Sequence, residues 1–394
     1  MKKLLSLFLA LLLCFSLIAC EKQGSNDTAV TTADPTVLSQ KTFSASSEYV
    51  KALGRTYFSE DNTLWLSYSA TGLEFTFTGT DLSFDMAGPD GLEYMSFKNH
   101  PRFAVYVNGE RVLDTVLHES EKSYKILENA PEAEYTVTLV KLSAATVSNL
   151  AVKAINVTSK GSLVPTPKKD LTIEFIGDSI TCAYGVDDED KTHGYSSSTE
   201  DATKSYAYLT AQLLGADYSL VCRSGHGVIS GYSGDGTRNT RCLMQDYYED
   251  FGSSWGGALN GVNPDDIDWD FKSNPVDVVV INFGTNDVSY TKTNPTTLEP
   301  EFEALYVEFL KQIRKNNPNA TIVCTLGTMD NRLFRNIESA ASVYTTETGD
   351  TNIHTFQIGA RKSDEPLAAD YHPSLASHTR AANELTEFLK TILQ

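Results

Sequence analysis

The sequence predicts an α/β domain built on a parallel sheet and preceded by an antiparallel β-sandwich. Residues 40–160 contain short alternating runs with no helical pattern between them. Residues 161–170 contain two prolines and read as a linker. Over residues 171–394, continuous apolar runs alternate with helix-like stretches. Apolar strands that alternate with amphipathic helices are typical of a parallel sheet with helices on both faces.

The alternating runs of the first domain predict strands and at least one hairpin. "LEFTFTG" places Leu73, Phe75 and Phe77 on one face of a half-buried strand. "FAVYVNGERVLD" has Asn108-Gly109 between two strand-like runs, which is the strongest short-range hairpin signal. "EYTVTLVKL" and "AVKAINVT" continue the alternation. This pattern predicts a small, jelly-roll-like antiparallel sandwich.

The first 20 residues read as a secretory leader. Two lysines precede an apolar run that ends in Leu-Ile-Ala-Cys at Cys20. The run is a poor permanent span, because a bilayer needs about 20 apolar residues. Its ending resembles the lipobox of bacterial lipoproteins, which implies that Cys20 is lipidated and anchors an exported chain to the cell envelope or surface. An ordinary signal cut near Cys20 stays open. Residues 21–39 are polar and aperiodic, and we expect a flexible tether.

Composition excludes some classes of partner. The formal net charge is −19, which argues against nucleic acid because phosphate binding needs a basic face. Four cysteines remain beyond Cys20, namely Cys182, Cys222, Cys242 and Cys324. They form no CxxC motif and no Cys/His cluster, so the sequence predicts no metal and no cofactor. Whether any two of them form a disulfide stays open.

Polar residues that could do chemistry follow the apolar runs of the second domain. Ser179 follows Gly177-Asp178 in "FIGDSITCAYGV", where a nucleophile on a strand-to-helix turn is expected. Gly-Asp-Ser alone is a weak signal, and a turn-capping role stays open. In "VVVINFGTNDVSY", Asn286 follows a buried run and could donate to a developing oxyanion. In "VCRSGHGV", Gly225 lets its backbone N–H approach a ligand.

A base candidate lies near the C-terminus. In "AADYHPSLASH", Asp370 stands two residues before His372, at the start of the last helix pattern. Alone, His372 could be a capping or packing residue. Ligands of parallel sheets bind at the carboxyl ends of the strands. We therefore expect Ser179, Gly225, Asn286, Asp370 and His372 to meet at one edge of the sheet.

Other candidates have weaker support. The segment 252–256 formally matches the G-x-S-x-G elbow, but no apolar strand precedes it and we predict a loop. His226 reads better as a loop histidine than as a substrate contact. Tyr184, Tyr195 and Trp255 could each stack on a sugar ring or simply pack.

Taken together, these segments resemble those of the SGNH (GDSL-like) hydrolases. The mature chain more narrowly resembles carbohydrate esterase family 2, which joins an N-terminal β-sandwich to a flavodoxin-like SGNH domain. The segments that carry this resemblance are "GRTYF", "STEDATKSYAYLTAQLLGAD", "CRSGHGV", "VVINFGTND" and "DYHPS". The chain departs from the family pattern at Ala369, where a cysteine is expected, and at Thr328, where relatives tend to have proline.

The resemblance implies a serine esterase that removes O-acetyl groups from polysaccharides or oligosaccharides of the xylan or glucomannan type, with the sugar 6-position as one point of attack. Ser179 would attack the acetyl carbonyl and His372 would move the proton. Asp370 would orient the imidazole, although a backbone carbonyl can do so instead. The N–H groups of Ser179 and Gly225 and the Asn286 amide would bind the oxyanion. A glycan-binding lipoprotein with vestigial activity and an SGNH esterase for lipid or aryl esters stay open.

Overall fold

The computed structural model describes residues 36–393. The predicted leader, its lipidation site Cys20 and residues 21–35 of the predicted tether lie outside the described residues. Within residues 36–393, no helix is both long enough and apolar enough to cross a bilayer.

The N-terminal domain is an antiparallel sheet of ten strands. They are β1 (Ser39–Phe43), β2 (Lys51–Leu53), β3 (Thr56–Phe58), β4 (Leu64–Leu66), β5 (Gly72–Ala87), β6 (Arg102–Val107), β7 (Glu110–Val116), β8 (Glu121–Leu127), β9 (Ala133–Lys141) and β10 (Leu150–Pro165). The spatial order is β3-β4-β10-β5-β9-β6-β7, with β1 on β10 and with β2 and β8 on β5. The antiparallel domain predicted from alternation is therefore present.

Details of the predicted strands hold. The side chains of Leu73, Phe75 and Phe77 are buried on one face of β5. β6 and β7 form a hairpin in which Asn108 and Gly109 both have positive φ, as the favoured two-residue turn requires. β10 continues to Pro165, so the last strand of this domain extends into the first half of the predicted linker 161–170.

The second domain is a five-stranded parallel sheet with helices. Its elements are β11 (Thr172–Gly177), α1 (Ser179–Cys182), α2 (Tyr206–Leu213), β12 (Asp217–Cys222), β13 (Val278–Asn282), α3 (Val288–Thr291), α4 (Pro295–Asn316), β14 (Thr321–Leu326), α5 (Phe334–Thr348), β15 (Ile353–Gln357) and α6 (Leu375–Ile392). The strand order is β12-β11-β13-β14-β15, and every neighbouring pair is parallel. This flavodoxin-like order has its switch point beside β11, where ligands bind.

Apolar side chains cover both faces of this sheet. On one face, Phe302 and Tyr306 of α4 and Ile337 of α5 belong to the same buried cluster as strand residues of β13 and β14. On the other face, Ala207 of α2 and Leu385 of α6 pack in a second cluster. Burial on both faces explains why the strands read as continuous apolar runs rather than as alternating ones.

A buried ion pair joins the two domains. Arg55, between β2 and β3, forms an ion pair with Glu174 of β11 at 3.1 Å, and both side chains are almost fully buried. Its Nη1 also donates to the carbonyls of Tyr248 at 2.6 Å and Asp250 at 3.0 Å. A buried charge pair is tolerated only when its remaining donors find partners, as they do here. The ion pair thus ties the antiparallel domain to β11, the second strand in the order of the parallel sheet.

Candidate active site

The turn after β11 carries Ser179 as the first residue of α1. A Cβ atom on Gly177 would lie 2.0 Å from Thr181 Oγ1, so the chain can turn this sharply only with glycine there. The Asp178 carboxylate caps α1 by accepting the Ile180 N–H at 2.9 Å. These contacts fix the backbone of the turn that carries the Ser179 side chain.

His372 lies against Ser179. Its Nε2 is 2.9 Å from Ser179 Oγ. Its Nδ1 is 3.0 Å from the main-chain carbonyl oxygen of Asp370 and 3.2 Å from that of Ala369. A carbonyl oxygen can only accept, so Nδ1 carries the proton and Nε2 presents its lone pair to the Ser179 hydroxyl. That is the tautomer that a general base needs.

Asp370 contacts the imidazole through its main chain. The sequence predicts that Asp370 orients His372, and the oxygen within hydrogen-bond distance of Nδ1 is the Asp370 carbonyl. Burial, and after it the charge of the nearby Asp370 carboxylate, raises the pKa of Tyr184, whose ring stacks on the imidazole at 4.1 Å between centroids. Burial lowers the pKa of His372, while the charge of Asp370 and the two carbonyls oppose this shift. The imidazole is therefore neutral in its resting state.

Two of the three predicted oxyanion donors, the backbone N–H groups of Ser179 and Gly225, have no acceptor among residues 36–393. Gly225 has a φ of +76°, and a Cβ there would meet open space. The amide of Asn286 already donates to the His226 carbonyl at 2.8 Å and to the Asp178 carboxylate at 3.1 Å. An oxyanion would have to share one of these hydrogens. Ser179 is 6% exposed and Asn286 is 8% exposed.

A carboxylate that the sequence did not single out holds the loop after Gly225. Asp287 Oδ1 accepts the backbone N–H groups of Val228 at 2.8 Å, Ile229 at 2.7 Å and Ser230 at 3.2 Å. Asp287 is fully buried, and burial raises its pKa to about 6. Its place directly after Asn286 was the available signal, but sequence spacing cannot show which loop it contacts.

The remaining candidates surround this site. The His226 ring is buried, and burial, followed by the charge of Arg223, lowers its pKa to about 3, so the imidazole is neutral. Segment 252–256 lies in a loop that contains the 3₁₀ turn Ser254–Gly256. Tyr195 packs on the ring of Tyr184 at 5.2 Å. The four cysteines beyond Cys20 are free thiols.

Two family matches account for both domains. Residues 175–380 match the GDSL-like lipase/acylhydrolase family. The chain belongs to that family. Residues 52–167 match the N-terminal domain of carbohydrate esterase 2. The protein is therefore a carboxylic ester hydrolase with a GDSL-like catalytic domain, and its N-terminal domain matches that of carbohydrate esterase 2. Within residues 36–393, no group of three or more His, Cys, Asp or Glu side chains could hold a metal ion.

Named relatives of this esterase act on polysaccharides. It is 28% identical over 348 residues to the cellulase/esterase CelE of Acetivibrio thermocellus. The alignment covers 86% of this chain and 39% of CelE. The esterase is 25% identical over 364 residues to an acetylxylan esterase/glucomannan deacetylase of Cellvibrio japonicus, covering 90% of this chain and 92% of the relative. Because the chain spans well under half of CelE, the activities of CelE as a whole are not transferred to it.

Solved structures have the same two-domain architecture as the esterase. A family two carbohydrate esterase from Clostridium thermocellum in complex with cellohexaose has a TM-score of 0.74 and 26% identity, and covers 87% of this chain and 99% of that one. The acetyl xylan esterase Est2A from Butyrivibrio proteoclasticus has a TM-score of 0.78 and 25% identity, and covers 91% of this chain and 99% of that one.

Removing the Asp287 side chain should impair the esterase more than replacing its carboxylate by a neutral amide. Asp287→Ala leaves three buried N–H groups without an acceptor and frees the loop that carries Gly225. Misplacing a catalytic group by about 1 Å can cost about 10²-fold in rate, so we expect a loss of that order in kcat for 4-nitrophenyl acetate. Asp287→Asn keeps the accepting oxygen and is the matched control, with a much smaller loss. A folded Asp287→Ala variant with the kcat of the wild type would contradict this account of the loop.

Replacing Asp370 by Asn should have a small effect on rate and a defined effect on pH dependence. The main-chain carbonyl remains, and Asn tolerates the left-handed φ of 48° at this position. We expect kcat on 4-nitrophenyl acetate at alkaline pH to fall less than about tenfold, against about 10⁴-fold for loss of a triad carboxylate. Because the charge of Asp370 raises the pKa of His372, the acid limb of kcat/KM should move to lower pH.

The exposed Asp364 provides the control Asp364→Asn for a general loss of negative charge near the chain end. A drop near 10⁴-fold in Asp370→Asn at alkaline pH, with Asp364→Asn unaffected, would show that the carboxylate itself orients His372. An unchanged acid limb would show that its charge does not reach the imidazole.

Proposed function

We propose that this esterase removes O-acetyl groups from polysaccharides or oligosaccharides of the xylan or glucomannan type, with Ser179 as its nucleophile. The observation that carries the proposal is the 2.9 Å separation of Ser179 Oγ and His372 Nε2. Support for the substrate comes from the Cellvibrio japonicus relative, which is named an acetylxylan esterase and glucomannan deacetylase. A formal charge of −19 also suits an uncharged acetylated glycan better than an acidic one.

In the proposed acylation step, Ser179 Oγ attacks the acetyl carbonyl while His372 Nε2 takes the hydroxyl proton. The N–H groups of Ser179 and Gly225 donate to the resulting oxyanion. His372 then gives the proton to the departing sugar oxygen, which leaves as an alcohol. Water hydrolyses the acetyl-serine by the same proton transfers in the second half of the reaction. The product is acetate and a deacetylated sugar.

We assign the orienting role for His372 to the carbonyls of Ala369 and Asp370. They accept the Nδ1–H, and their partial negative charge favours the imidazolium that forms during proton transfer. The Asp370 carboxylate contributes through its charge rather than by direct contact. Asn286 is assigned as a third oxyanion donor, which shares with the oxyanion a hydrogen that Asp178 accepts in the resting site. Losing such a donor typically costs about 10²–10³ in kcat.

Acetate release is the direct test of this function. Residues 21–394 should release acetate from acetylated xylan and acetylated glucomannan, and Ser179→Ala should release none. Ser254→Ala is the matched control, since Ser254 lies in the formal G-x-S-x-G segment and donates no hydrogen bond to a histidine in residues 36–393. Its activity on 4-nitrophenyl acetate should equal that of the wild type.

The other outcomes would each overturn a different part of the proposal. Hydrolysis of 4-nitrophenyl acetate without acetate release from glycans would retain Ser179 as nucleophile and place the substrate among lipid or aryl esters. Glycan binding without hydrolysis of any ester would mean that the protein is a binding module.

Among acetylated glucosides, comparison of positional isomers tests preference for the 6-position.

We also propose that the chain is exported and anchored through a lipid on Cys20, because a short apolar run with a basic start ends in Leu-Ile-Ala-Cys. Several acyl chains on one cysteine would hold the protein firmly, since each buried methylene contributes about 0.8 kcal/mol. Full-length protein made in a bacterium should incorporate labelled palmitate and sediment with membranes. Cys20→Ala should do neither. Unlabelled wild-type protein released from the cell would show that the leader is an ordinary secretory signal.

A further inference from the structure

Arg223 stands directly after β12, two residues before Gly225. Its backbone N–H donates to the carbonyl of Gly177 at 3.0 Å, so its main chain is fixed beside the turn that carries Ser179. Its side chain is fully buried. A buried guanidinium loses its hydration, and such charges in proteins are normally paired with a carboxylate.

Within residues 36–393, Arg223 forms no ion pair. Its Nη2 donates to Ser253 Oγ at 2.8 Å, while Nε and Nη1 have no hydrogen-bond acceptor. The guanidinium lies instead over aromatic rings, with Cζ 3.7 Å from the centroid of Tyr247 and 5.6 Å from that of Trp255. An apolar side chain of similar shape would fill this space at a lower desolvation cost. The charge and the planar fork therefore have a role beyond packing.

Ser253 links the guanidinium to Trp255. Ser253 Oγ accepts the backbone N–H of Trp255 at 3.3 Å and caps the 3₁₀ turn Ser254–Gly256. Trp255 is 44% exposed, and its ring centroid lies 5.6 Å from that of His226. The His226 carbonyl in turn accepts the amide of Asn286. An exposed indole is thus held close to the residues that we assign to the oxyanion.

The antiparallel domain holds the same serine from the other side. The Ser253 N–H donates to Ser67 Oγ at 3.0 Å, and the Ser253 carbonyl accepts the amide of Asn149 at 3.2 Å. Both of these partners are buried. Ser253 therefore forms hydrogen bonds with both domains: with Ser67 and Asn149 of the antiparallel domain and with Arg223, which follows β12 of the other.

We propose that Arg223 is a positioning residue that fixes the Trp255 ring as a platform for a pyranose ring of the acetylated glycan. This inference rests on the proposed function. Aromatic rings offer a flat apolar face with little conformational freedom, which suits the apolar face of a sugar. A glycan would use the platform, whereas a small aryl acetate lacks the further sugar units that could reach it. Binding energy from such remote contacts separates long substrates from short ones.

The test compares two substrates in Arg223→Met, Trp255→Ala and the wild type. For an acetylated xylo-oligosaccharide, both substitutions should raise KM by about tenfold or more, the effect of losing one good contact, with kcat retained. The loss in kcat/KM for 4-nitrophenyl acetate should be about tenfold smaller than the loss for the oligosaccharide. Ser253→Ala cuts the same link without changing charge, and Arg223→Met/Ser253→Ala should lose no more than Trp255→Ala.

Equal losses on both substrates in folded Arg223→Met would overturn the proposal, since Arg223 would then support the chemistry or the fold in general. The absence of any loss would overturn it too. A binding experiment tests this proposal independently of the proposed function. The affinity of Ser179→Ala for the deacetylated oligosaccharide is measured by tryptophan fluorescence. Weaker binding in Ser179→Ala/Arg223→Met supports Arg223 even if no acetate is released, and unchanged affinity contradicts its role.

Discussion

In β11, Gly177 pairs with Cys222 of β12 on one side and with Asn282 of β13 on the other. This parallel register brings three strand ends to one edge, and the segments that leave them carry the serine, the Gly225 loop and the Asn286 loop. A shift of one residue would exchange the two faces of a strand. Ile176, Val221 and Ile281 pack in one buried cluster on a single face, and such a shift would replace them with the differently shaped side chains of the other face. The site therefore depends on the packing of the sheet before it depends on any catalytic contact.

Two buried arginines extend this arrangement to the antiparallel domain. Arg55 is paired with Glu174 and places that domain against the catalytic sheet. Arg223 has no carboxylate partner in the described chain and lies on Tyr247 and beside Trp255. The ion pair of Arg55 joins the two domains. The turn that carries Trp255 is held by hydrogen bonds to both domains, through Ser67 and Asn149 of the antiparallel domain and through Arg223 of the other. In this view the antiparallel domain shapes the substrate cleft without contributing to the chemistry.

Sequence patterns predicted the features that follow from periodicity and local turn chemistry. The buried face of β5, the hairpin at Asn108 and the meeting of strand ends at one edge are of this kind. The contact between Nδ1 of His372 and two main-chain carbonyls could not be read from the sequence. It depends on left-handed φ values at Asp370 and Tyr371, which turn the carbonyls toward the imidazole, and neither residue type requires them. The three N–H groups bound by Asp287 likewise depend on tertiary packing.

Covalent labelling of the serine nucleophile tests the central assignment most directly. A fluorophosphonate reacts only with a hydroxyl that a neighbouring base has activated, and peptide mapping by mass spectrometry locates the adduct. We expect one adduct, on Ser179, which forms far more slowly in His372→Ala and is absent in Ser179→Ala. A wild-type protein that is labelled at another serine, or that stays unlabelled while it hydrolyses acetyl esters, would contradict the assignment of Ser179 and His372 as the reacting pair.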